Sequence, residues 1–570
     1  MAIKRREDSF FGLHFDFHAT PQGLGGGTVG ERTREEDIRE ICERIRPDFL
    51  QIDCKGHPGY SSYPTRAGTA VSPIQGDPLK LWRRVTKEEG VALYMHYSGV
   101  IDERAIAEHP EYACVGPDGQ PDKQATSTFG PYVEERLIPQ LLELAGEYGV
   151  DGVWIDGECW GTKADYSQKA LAAFREEMGI DVSQNPPVEK GDPYYEEYRD
   201  FCRRRFFRYV GRYLDAVHEK YPQFQIASNW IYSARVPQPA VLPVDFLSGD
   251  YSPSDSFNSA RYEGRCLAPQ GKPWDLMAWN FRCDFETKWR CPKHPAQMTQ
   301  EAAAVMALGG GFQCYITQNP DGSPKMNQIR GMEEVARFCR QRQPFCHKGQ
   351  FVPQAVILNS TTDFYLSSPG LFLGGSDSIS GWTELMCESQ QSVEIRSEHN
   401  LTGNLSRWPL VVVPGIHEKI EESFIDELLS YAREGGSLVL SGGRAIAAFS
   451  ARAEGGLPLP EDGIAVRYLS HDRAMWSGFE HPFPVFRQAA GEVFGWAGDA
   501  EDARRMAATG FFAAFFAGLA IMAVGLLACE PLVYALGSTP TIAPYAQAYL
   551  GYLMPGAPFL IASLVLNNQL

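Results

Sequence analysis

Two carboxylic acids stand directly behind a short apolar run, and this spacing indicates nucleophilic or acid/base chemistry. The run 152–155 ends in Asp156 and Glu158, and Trp160 follows. A helical pattern over residues 134–148 precedes the run, which predicts a buried parallel strand whose carboxyl end presents both acids to a cleft. Aromatic rings beside carboxylates suit a sugar, whose apolar face stacks while its hydroxyls form hydrogen bonds. The structural alternative is an acid that caps the next helix or pairs with an arginine.

Glycoside hydrolysis is the chemistry that such acids would perform. Retaining enzymes need two carboxyl groups about 5 Å apart, one as nucleophile and one as acid/base. We predict Asp156 as the nucleophile, because it ends the strand itself and is held by rigid backbone. Glu263, Glu158 and Asp250 are the candidates for the acid/base. A proton donor needs a raised pKa, which a sequence does not give.

Residues 1–345 alternate strand-like and helix-like segments, which predicts a (β/α)8 TIM barrel. The predicted strands are residues 11–17, 49–53, 91–97, 152–156, 224–228, 244–248, 274–279 and 312–317. The predicted helices are residues 33–45, 78–89, 132–148, 195–220, 256–267, 295–308 and 327–341.

The predicted strand ends carry further polar and aromatic side chains. Because the carboxyl ends of barrel strands meet at one rim, we expect these side chains to line one sugar-binding pocket. The predicted substrate-binding residues are His14, Asp16, Lys55, His57, Tyr60, His96, Asn229, Trp230, Asp250, Trp279 and Asn319.

Two other functions for the barrel stay open at this point. His14, Asp16 and His18 alternate with a spacing typical of metal ligands, as in a metal-dependent hydrolase. Metal barrels also need ligands on later strands, and predicted strands 4, 5 and 6 offer neither histidine nor lysine, so we predict no metal and no other cofactor. A non-catalytic carbohydrate-binding barrel is the second alternative, against which Asp156 and Glu158 argue.

The composition favours a neutral substrate in a reducing compartment. The formal net charge of −18 argues against a nucleic-acid partner, which needs a basic surface. The 13 cysteines are odd in number and scattered, unlike a disulfide framework. No apolar segment typical of a signal peptide follows the basic residues at the start. We therefore expect a cytoplasmic catalytic region.

Residues 346–492 predict a small parallel α/β, flavodoxin-like domain. The predicted strands are residues 351–358, 409–413 and 437–441, with an amphipathic helix at residues 421–434. The turns after the second and third strands have no cysteine or serine placed as a nucleophile elbow, so we expect no catalysis in this domain.

Residues 493–570 predict a membrane segment. The stretches 507–529 and 545–566 carry no charge and are long enough to cross a bilayer as two transmembrane helices. Arg504 and Arg505 precede the first stretch and favour a cytoplasmic location for the preceding domains. We expect the chain to be membrane-associated through residues 507–566.

Several of these segments resemble the alpha-L-fucosidases over about residues 9–345. The sequence WIDGE at 154–158 resembles their strand-4 motif, KGHPGY at 55–60 their strand-2 Lys-His-His stretch, and LHF at 13–15 their strand-1 histidine segment. GGGFQCYITQNPDG at 309–322 is similar to their last-strand pattern. The resemblance implies hydrolysis of alpha-L-fucosides or related O-glycosides, with Asp156 as nucleophile and Glu263 as acid/base. Gly56 stands where the family has its first histidine, which indicates a divergent branch.

The other two regions resemble different families. Residues 346–492 resemble the amidotransferase-like trimerisation domain of some beta-galactosidases, which implies a structural role and a homo-oligomer. The tail resembles part of a multidrug and toxin extrusion (MATE) transporter. Such transporters need a dozen helices, so this resemblance implies a truncated efflux-transporter fragment joined near residues 490–498 by gene fusion or by an assembly artefact.

Overall fold

The computed structural model describes residues 4–21, 27–283, 290–374, 377–453 and 500–561. The described residues up to 453 belong to one compact unit, and residues 500–561 belong to a second. The proposed junction near residues 490–498 lies outside the described residues.

Eight parallel strands form the main sheet of the first unit, and their order around the sheet is β6-β7-β8-β1-β2-β3-β4-β5. Backbone hydrogen bonds from Asp245 to Ile226 and from Trp230 to Ser248 connect the β5 and β6 segments, so the sheet closes into a barrel. The predicted TIM barrel is therefore confirmed. The strands are β1 (Phe11–Asp16), β2 (Phe49–Lys55), β3 (Ala92–Ser98), β4 (Gly152–Asp156), β5 (Gln225–Ser228), β6 (Leu247–Asp250), β7 (Trp274–Trp279) and β8 (Gly311–Thr317).

Helices follow the strands and cover the outside of the barrel. Most coincide with predicted helices, whereas Gln168–Met178 was not predicted. Short antiparallel pairs lie in the loops at Tyr60–Ser61, Ala113–Val115 with Pro121–Thr126, and Phe281–Cys283 with Arg290–Pro292. The barrel helices are Glu35–Ile45, Pro78–Glu89, Glu103–Glu108, Ile138–Glu143 with wider turns on both sides (Val133–Leu137 and Leu144–Tyr148), Gln168–Met178, Tyr195–Lys220, Ser256–Leu267, Pro295–Met306 and Met326–Cys346.

The lower part of the barrel interior is filled and leaves the carboxyl ends of the strands for polar groups. Arg6 reaches in beneath the sheet, where its Nε donates to Asp275 over 2.8 Å and its guanidinium lies 3.5 Å from the centroid of the Phe49 ring. Trp154 and Tyr94 are also fully buried in this interior cluster. The site above it therefore rests on a packed floor.

A second parallel sheet follows in the same unit, in the order β10-β9-β11-β12. Arg203 of the barrel binds this domain, donating to the carbonyl oxygens of Leu371 and Tyr365 over 2.9 Å each. This confirms the small parallel α/β domain. Its strands are β9 (Ala355–Leu358), β10 (Val393–Arg396), β11 (Leu410–Val413) and β12 (Ser437–Leu440), and its helices are Thr361–Ser367, Asp377–Glu388, Glu398–Leu401, Glu422–Arg433 and Gly443–Ser450.

The second unit contains the helices Ala500–Leu527, Cys529–Ala535 and Ala543–Leu553. Among the described residues, no single helix has both the length and the apolar character of a membrane span. Phe512–Leu527 and Cys529–Ala535 meet these criteria as a pair, with an 86° bend between them. The expectation of two complete spanning helices is corrected accordingly. In the second stretch the α-helix ends at Leu553, just before the 3-10 turn that contains Pro555, since proline removes a backbone donor.

Candidate active site

Asp156 ends β4, and its two carboxylate oxygens have different partners. Asn229 Nδ2 donates to Oδ1 over 2.8 Å, and Trp160 Nε1 donates to the same oxygen over 3.1 Å. Oδ2 lies 3.4 Å from Nε2 of His57 and 3.4 Å from Nε2 of His96. Burial would raise the pKa of Asp156, but hydrogen bonding to His96 above all holds it well below its ordinary value. Asp156 is therefore ionised, and Oδ2 is its less firmly held oxygen.

His96 lies between two carboxylates. The β2–β3 register pairs it with Asp53, whose Oδ1 is 2.8 Å from His96 Nδ1. Its Nε2 faces Asp156. Burial opposes ionisation of the ring, but hydrogen bonds with Asp156 and Asp53 raise the pKa of His96 well above its ordinary value. The ring is therefore an imidazolium that donates from both nitrogens, which gives a continuous Asp53–His96–Asp156 chain.

His57 presents a lone pair to Asp156. Its Nδ1 is 2.7 Å from Ser98 Oγ, and that hydroxyl donates to the carbonyl oxygen of Ile101 over 2.7 Å. Because the serine proton is already used, Nδ1 of His57 must be the donor. Burial lowers the pKa of His57 to about 4, so its ring is neutral and Nε2 is an acceptor. Two acceptors that face each other at 3.4 Å, Nε2 and Oδ2 of Asp156, suit a donor such as a sugar hydroxyl.

The loop after β1 adds His18 to the group. Its Nε2 is 3.1 Å from Asp16 Oδ1, and Tyr315 donates to the other oxygen of Asp16 over 2.8 Å. The His18 ring lies edge-on to His57 at 4.6 Å and parallel to His96 at 5.5 Å between centroids. Burial opposes ionisation of His18, but the charge of Asp16 raises its pKa above the ordinary value.

His14 lies below this layer. It is 1% exposed, and its Nδ1 is 2.6 Å from Nε2 of Gln51. Burial and then the charge of His96 lower the pKa of His14 to about 3, so the ring is neutral. Its ring contacts those of His96 and Trp154. His14 therefore supports the ring of His96.

The ends of β5, β6 and β7 bring four predicted residues together. Asn229 binds Asp156, and the indole of Trp230 donates to the backbone oxygen of Asp250 over 2.8 Å. Trp279 Nε1 donates to Asp250 Oδ2 over 3.1 Å, while the buried Oδ1 of Asp250 has no hydrogen-bond partner in the described chain. Burial, followed by the charge of Asp156, raises the pKa of Asp250 to about 6. Trp230 has a left-handed backbone (φ +61°), a strained conformation that a non-glycine residue keeps where its surroundings hold it.

Glu158 faces away from Asp156. It is fully buried, and its Oε2 accepts from Tyr213 and Ser228 over 2.8 Å each. Gly157, with φ +64°, turns the chain between the two acids. Burial raises the pKa of Glu158 to about 8, so a protonated carboxyl group lies behind the strand, against helix Tyr195–Lys220.

Glu263 lies one layer further out, on helix Ser256–Leu267. Its Oε2 accepts from the backbone N–H of Ala234 over 3.3 Å. Burial raises the pKa of Glu263 to about 7, with the charge of Arg235 opposing it and that of Asp250 adding to it. Glu263 is therefore electrostatically linked to Asp250, and Asp250 in turn to Asp156.

Three predicted binding residues have other contacts. Lys55 is 1% exposed and donates to Asp102 over 2.6 Å and to Tyr132 over 2.9 Å, on the helix side of the barrel. Tyr60 pairs with Thr69 in a short strand and lies beneath the Arg104 guanidinium. Asn319 donates to Ser323 and to the carbonyl of Pro324 within its own loop.

Asp16, His18 and His96 are the group in the described chain whose spacing would fit a metal ion, with ligand atoms all within 4.8 Å of one another. Nδ1 of His96 is already paired with Asp53, and Asp16 is paired with His18 and Tyr315. The charges compensate one another without an ion, so we assign these groups to ion pairs. His14, which the sequence had placed in a ligand set with Asp16 and His18, is not part of the group.

Sequence reasoning did not assign Asp53, Ser98, Trp160 or Tyr315 to the site. Asp53 was recognisable, since it is an acid near the end of a predicted strand. Ser98 and Tyr315 act through His57 and Asp16, and such indirect roles leave no pattern in a single sequence.

Comparison with solved structures identifies TIM-barrel glycoside hydrolases as structural neighbours. Alpha-L-fucosidase isoenzyme 2 from Paenibacillus thiaminolyticus has a TM-score of 0.63 at 16% identity, over 76% of this chain and 64% of that protein. The beta-galactosidase from Bacillus circulans sp. alkalophilus has a TM-score of 0.57 at 13% identity, over 76% and 70% of the two chains. That from the haloarchaeon Halorubrum lacusprofundi scores 0.56 at 14%, over 76% and 73%. The chain thus spans a little under two thirds of the fucosidase, and at these identities the likeness shows the fold.

A family model matches one further region. The MatE family matches residues 490–570, in agreement with the resemblance of the tail. No curated protein sequence matches the chain.

Proposed function

We propose that the chain is a retaining glycoside hydrolase acting on alpha-L-fucosides or related O-glycosides, with Asp156 as nucleophile and Asp250 as acid/base. The observation that carries this proposal is the contrast between two acids at neighbouring strand ends. Asp156 is held ionised by His96 and Asn229. Asp250 is buried beside that charge, and its pKa is raised to about 6. Two carboxyl groups whose environments separate their pKa values are the arrangement that acid/base glycoside chemistry requires.

The geometry of Asp156 selects the attacking atom. Oδ1 is fixed by two short hydrogen bonds, whereas both contacts of Oδ2 are 3.4 Å long. In the first step Oδ2 forms a bond to the anomeric carbon, the bond from that carbon to the aglycone oxygen breaks, and Asp250 gives its proton to the departing oxygen. In the second step the Asp250 carboxylate takes a proton from water, whose oxygen displaces Asp156 from the sugar with net retention.

Asp250 is preferred to the other acids for the donor role. Glu158 is enclosed behind the strand by Tyr213 and Ser228. Glu263 lies on the helix that follows β6 and is bonded to the backbone of Ala234. Asp250 has a carboxylate oxygen without a partner in the described chain and ends a barrel strand, as Asp156 does.

The test is a screen of the full chain against aryl glycosides, beginning with the alpha-L-fucoside, beside Asp156→Asn. The variant should lose turnover by on the order of 10⁴-fold or more, because an amide cannot replace the nucleophile. Asp181→Asn, a change at an exposed acid, is the matched control and should keep normal turnover. Near-normal hydrolysis by Asp156→Asn would remove that residue from the mechanism.

A carbohydrate-binding barrel is the second candidate, because the same layer of histidines and tryptophans would bind a sugar without the two acids. A folded chain that cleaves no glycoside but is stabilised against heat by a free monosaccharide would favour it.

For the tail we propose membrane association, supported by the MatE match and by the bent apolar pair. The full chain should float with lipid vesicles in a density gradient, and a chain ending at residue 453 should not. Equal flotation of the two would contradict the proposal.

A further inference from the structure

His18 occupies space that a side chain at position 56 would need. A Cβ built on Gly56 would lie 2.7 Å from Cγ, 2.9 Å from Cα and 2.9 Å from Cβ of His18. The Cα atom cannot move without its backbone, so these contacts exclude any side chain at position 56 while His18 keeps its place.

The backbone of Gly56 gives no separate reason for glycine. Gly56 is not among the glycines with positive φ, so another residue could adopt its conformation. Gly59, three residues later, does have a positive φ of 84°. The glycine at position 56 is therefore explained by the approach of His18.

Contacts on several sides fix the ring that this space admits. Nε2 is held by Asp16 at 3.1 Å, and the ring packs against those of His57 and His96. Nδ1 bonds no residue in the described ranges, and 30% of the side chain is exposed beside the imidazole that faces Asp156. An oriented N–H donor thus stands unused at the edge of the site.

We infer that His18 is a specificity-determining residue, whose ring, fixed by Asp16 and admitted by Gly56, donates a hydrogen bond from Nδ1 to a hydroxyl of the bound sugar. This inference rests on the proposed function and names a recognition contact within it. The donor lies on the loop after β1, in a place that the sequence pattern had assigned to Asp16 and His14.

The first test uses a double-mutant cycle in the full chain, with the melting temperature as readout. Gly56→Ala should lower the melting temperature of the unaltered protein but have little effect in a His18→Ala background, because the clash partner is then absent. An equal effect in both backgrounds would show that the glycine serves the backbone alone and would overturn this part of the inference.

The second test measures recognition. His18→Phe keeps the ring but not the donor and should raise KM for the best aryl glycoside by about 10- to 100-fold with kcat little changed, whereas His18→Gln, which retains an N–H donor, should recover part of that loss. Among monodeoxy glycosides, the analogue that lacks the recognised hydroxyl should be cleaved equally well by the unaltered protein and His18→Phe.

The outcomes separate this inference from the proposed function. If the unaltered chain cleaves no glycoside, the proposed function fails and the recognition role fails with it. If it cleaves glycosides and both His18 variants keep the normal KM, the recognition role alone is overturned.

Discussion

Asp250 is buried close enough to Asp156 for the charge of that carboxylate to add to the effect of burial, and together they raise the pKa of Asp250 to about 6. The relationship has a direct consequence for pH dependence. Asp250 must be protonated to act as the acid, while Asp156 is ionised at every ordinary pH because its pKa is held low. The ratio kcat/KM should therefore be constant below about pH 6 and fall about tenfold per pH unit above it.

A pH profile of kcat/KM on the alpha-L-fucoside, or on the best glycoside found, checks this prediction. The alternative donor, Glu263, has a pKa of about 7 and would move the alkaline limb upward by one unit. A limb near pH 7 that disappears in Glu263→Gln would transfer the role to that residue.

The leaving group distinguishes the same two acids independently. Asp250→Asn should keep most of its activity on a dinitrophenyl glycoside, whose leaving group needs no proton, and lose about 10²- to 10⁴-fold on an alkyl glycoside. Glu263→Gln is the matched control and should affect both substrates equally, if at all. Single-turnover rates on the two substrates are the measurement. An Asp250→Asn variant that loses the same factor on both would not be an acid/base variant.

His96 should control the ionisation of Asp156. Its hydrogen bond lowers the pKa of Asp156, so His96→Gln should raise that pKa, and activity should fall on the acid side at a higher pH than in the unaltered protein. The loss of a charged hydrogen bond should also lower kcat/KM by about 10- to 100-fold at the optimum. His109→Gln, at an exposed histidine, is the control. An unchanged acid limb would show that Asn229 and Trp160 suffice to hold the carboxylate ionised.

The barrel was predictable because apolar runs and helical periodicity alternate along the chain, and burial of both faces of each strand requires such runs. Strand β6 shows where this fails. It was expected at residues 244–248 and lies at Leu247–Asp250, so Asp250 belongs to the strand itself. The apolar residues of 244–247 precede the paired segment, and hydrogen bonding, not apolar character, fixes its end.

The site was predictable in membership more than in orientation. Asp53 and Lys55 would face the same side of a regular strand, but the pairing of β2 with β3 shifts between them. The irregularity turns Lys55 towards Asp102 while Asp53 stays with His96. A single sequence carries no mark of such a shift, nor of the left-handed Gly157 that separates Asp156 from Glu158.

Removing one partner of the buried Lys55–Asp102 pair tests this reading of Lys55. Lys55→Met should lower the free energy of unfolding by about 3–5 kcal/mol, because Asp102 is left as an uncompensated buried charge. The double variant Lys55→Met/Asp102→Asn should recover much of that loss. Urea unfolding of the full chain gives both values. A Lys55→Met protein of normal stability but raised KM would instead place the lysine in sugar binding.

The enclosed carboxyl group of Glu158 should make stability depend on pH. Burial raises its pKa to about 8 in the folded chain, far above the usual value for an unfolded glutamate of about 4.3. The folded state therefore keeps a proton that the unfolded state releases. The contribution of Glu158 to stability is fully present below about pH 4.3 and declines by about 1.4 kcal/mol per pH unit as pH rises towards 8.

Glu158→Gln removes this dependence, since the amide is neutral at every pH and has nearly the same shape. The difference in melting temperature between the variant and the unaltered chain should grow in favour of the variant from pH 5 to pH 8 and level off above it. Glu43→Gln, at an exposed glutamate, is the control and should show no such trend. A constant difference across this range would mean that Glu158 is ionised in the folded protein, with Tyr213 and Ser228 strong enough as donors to hold the charge.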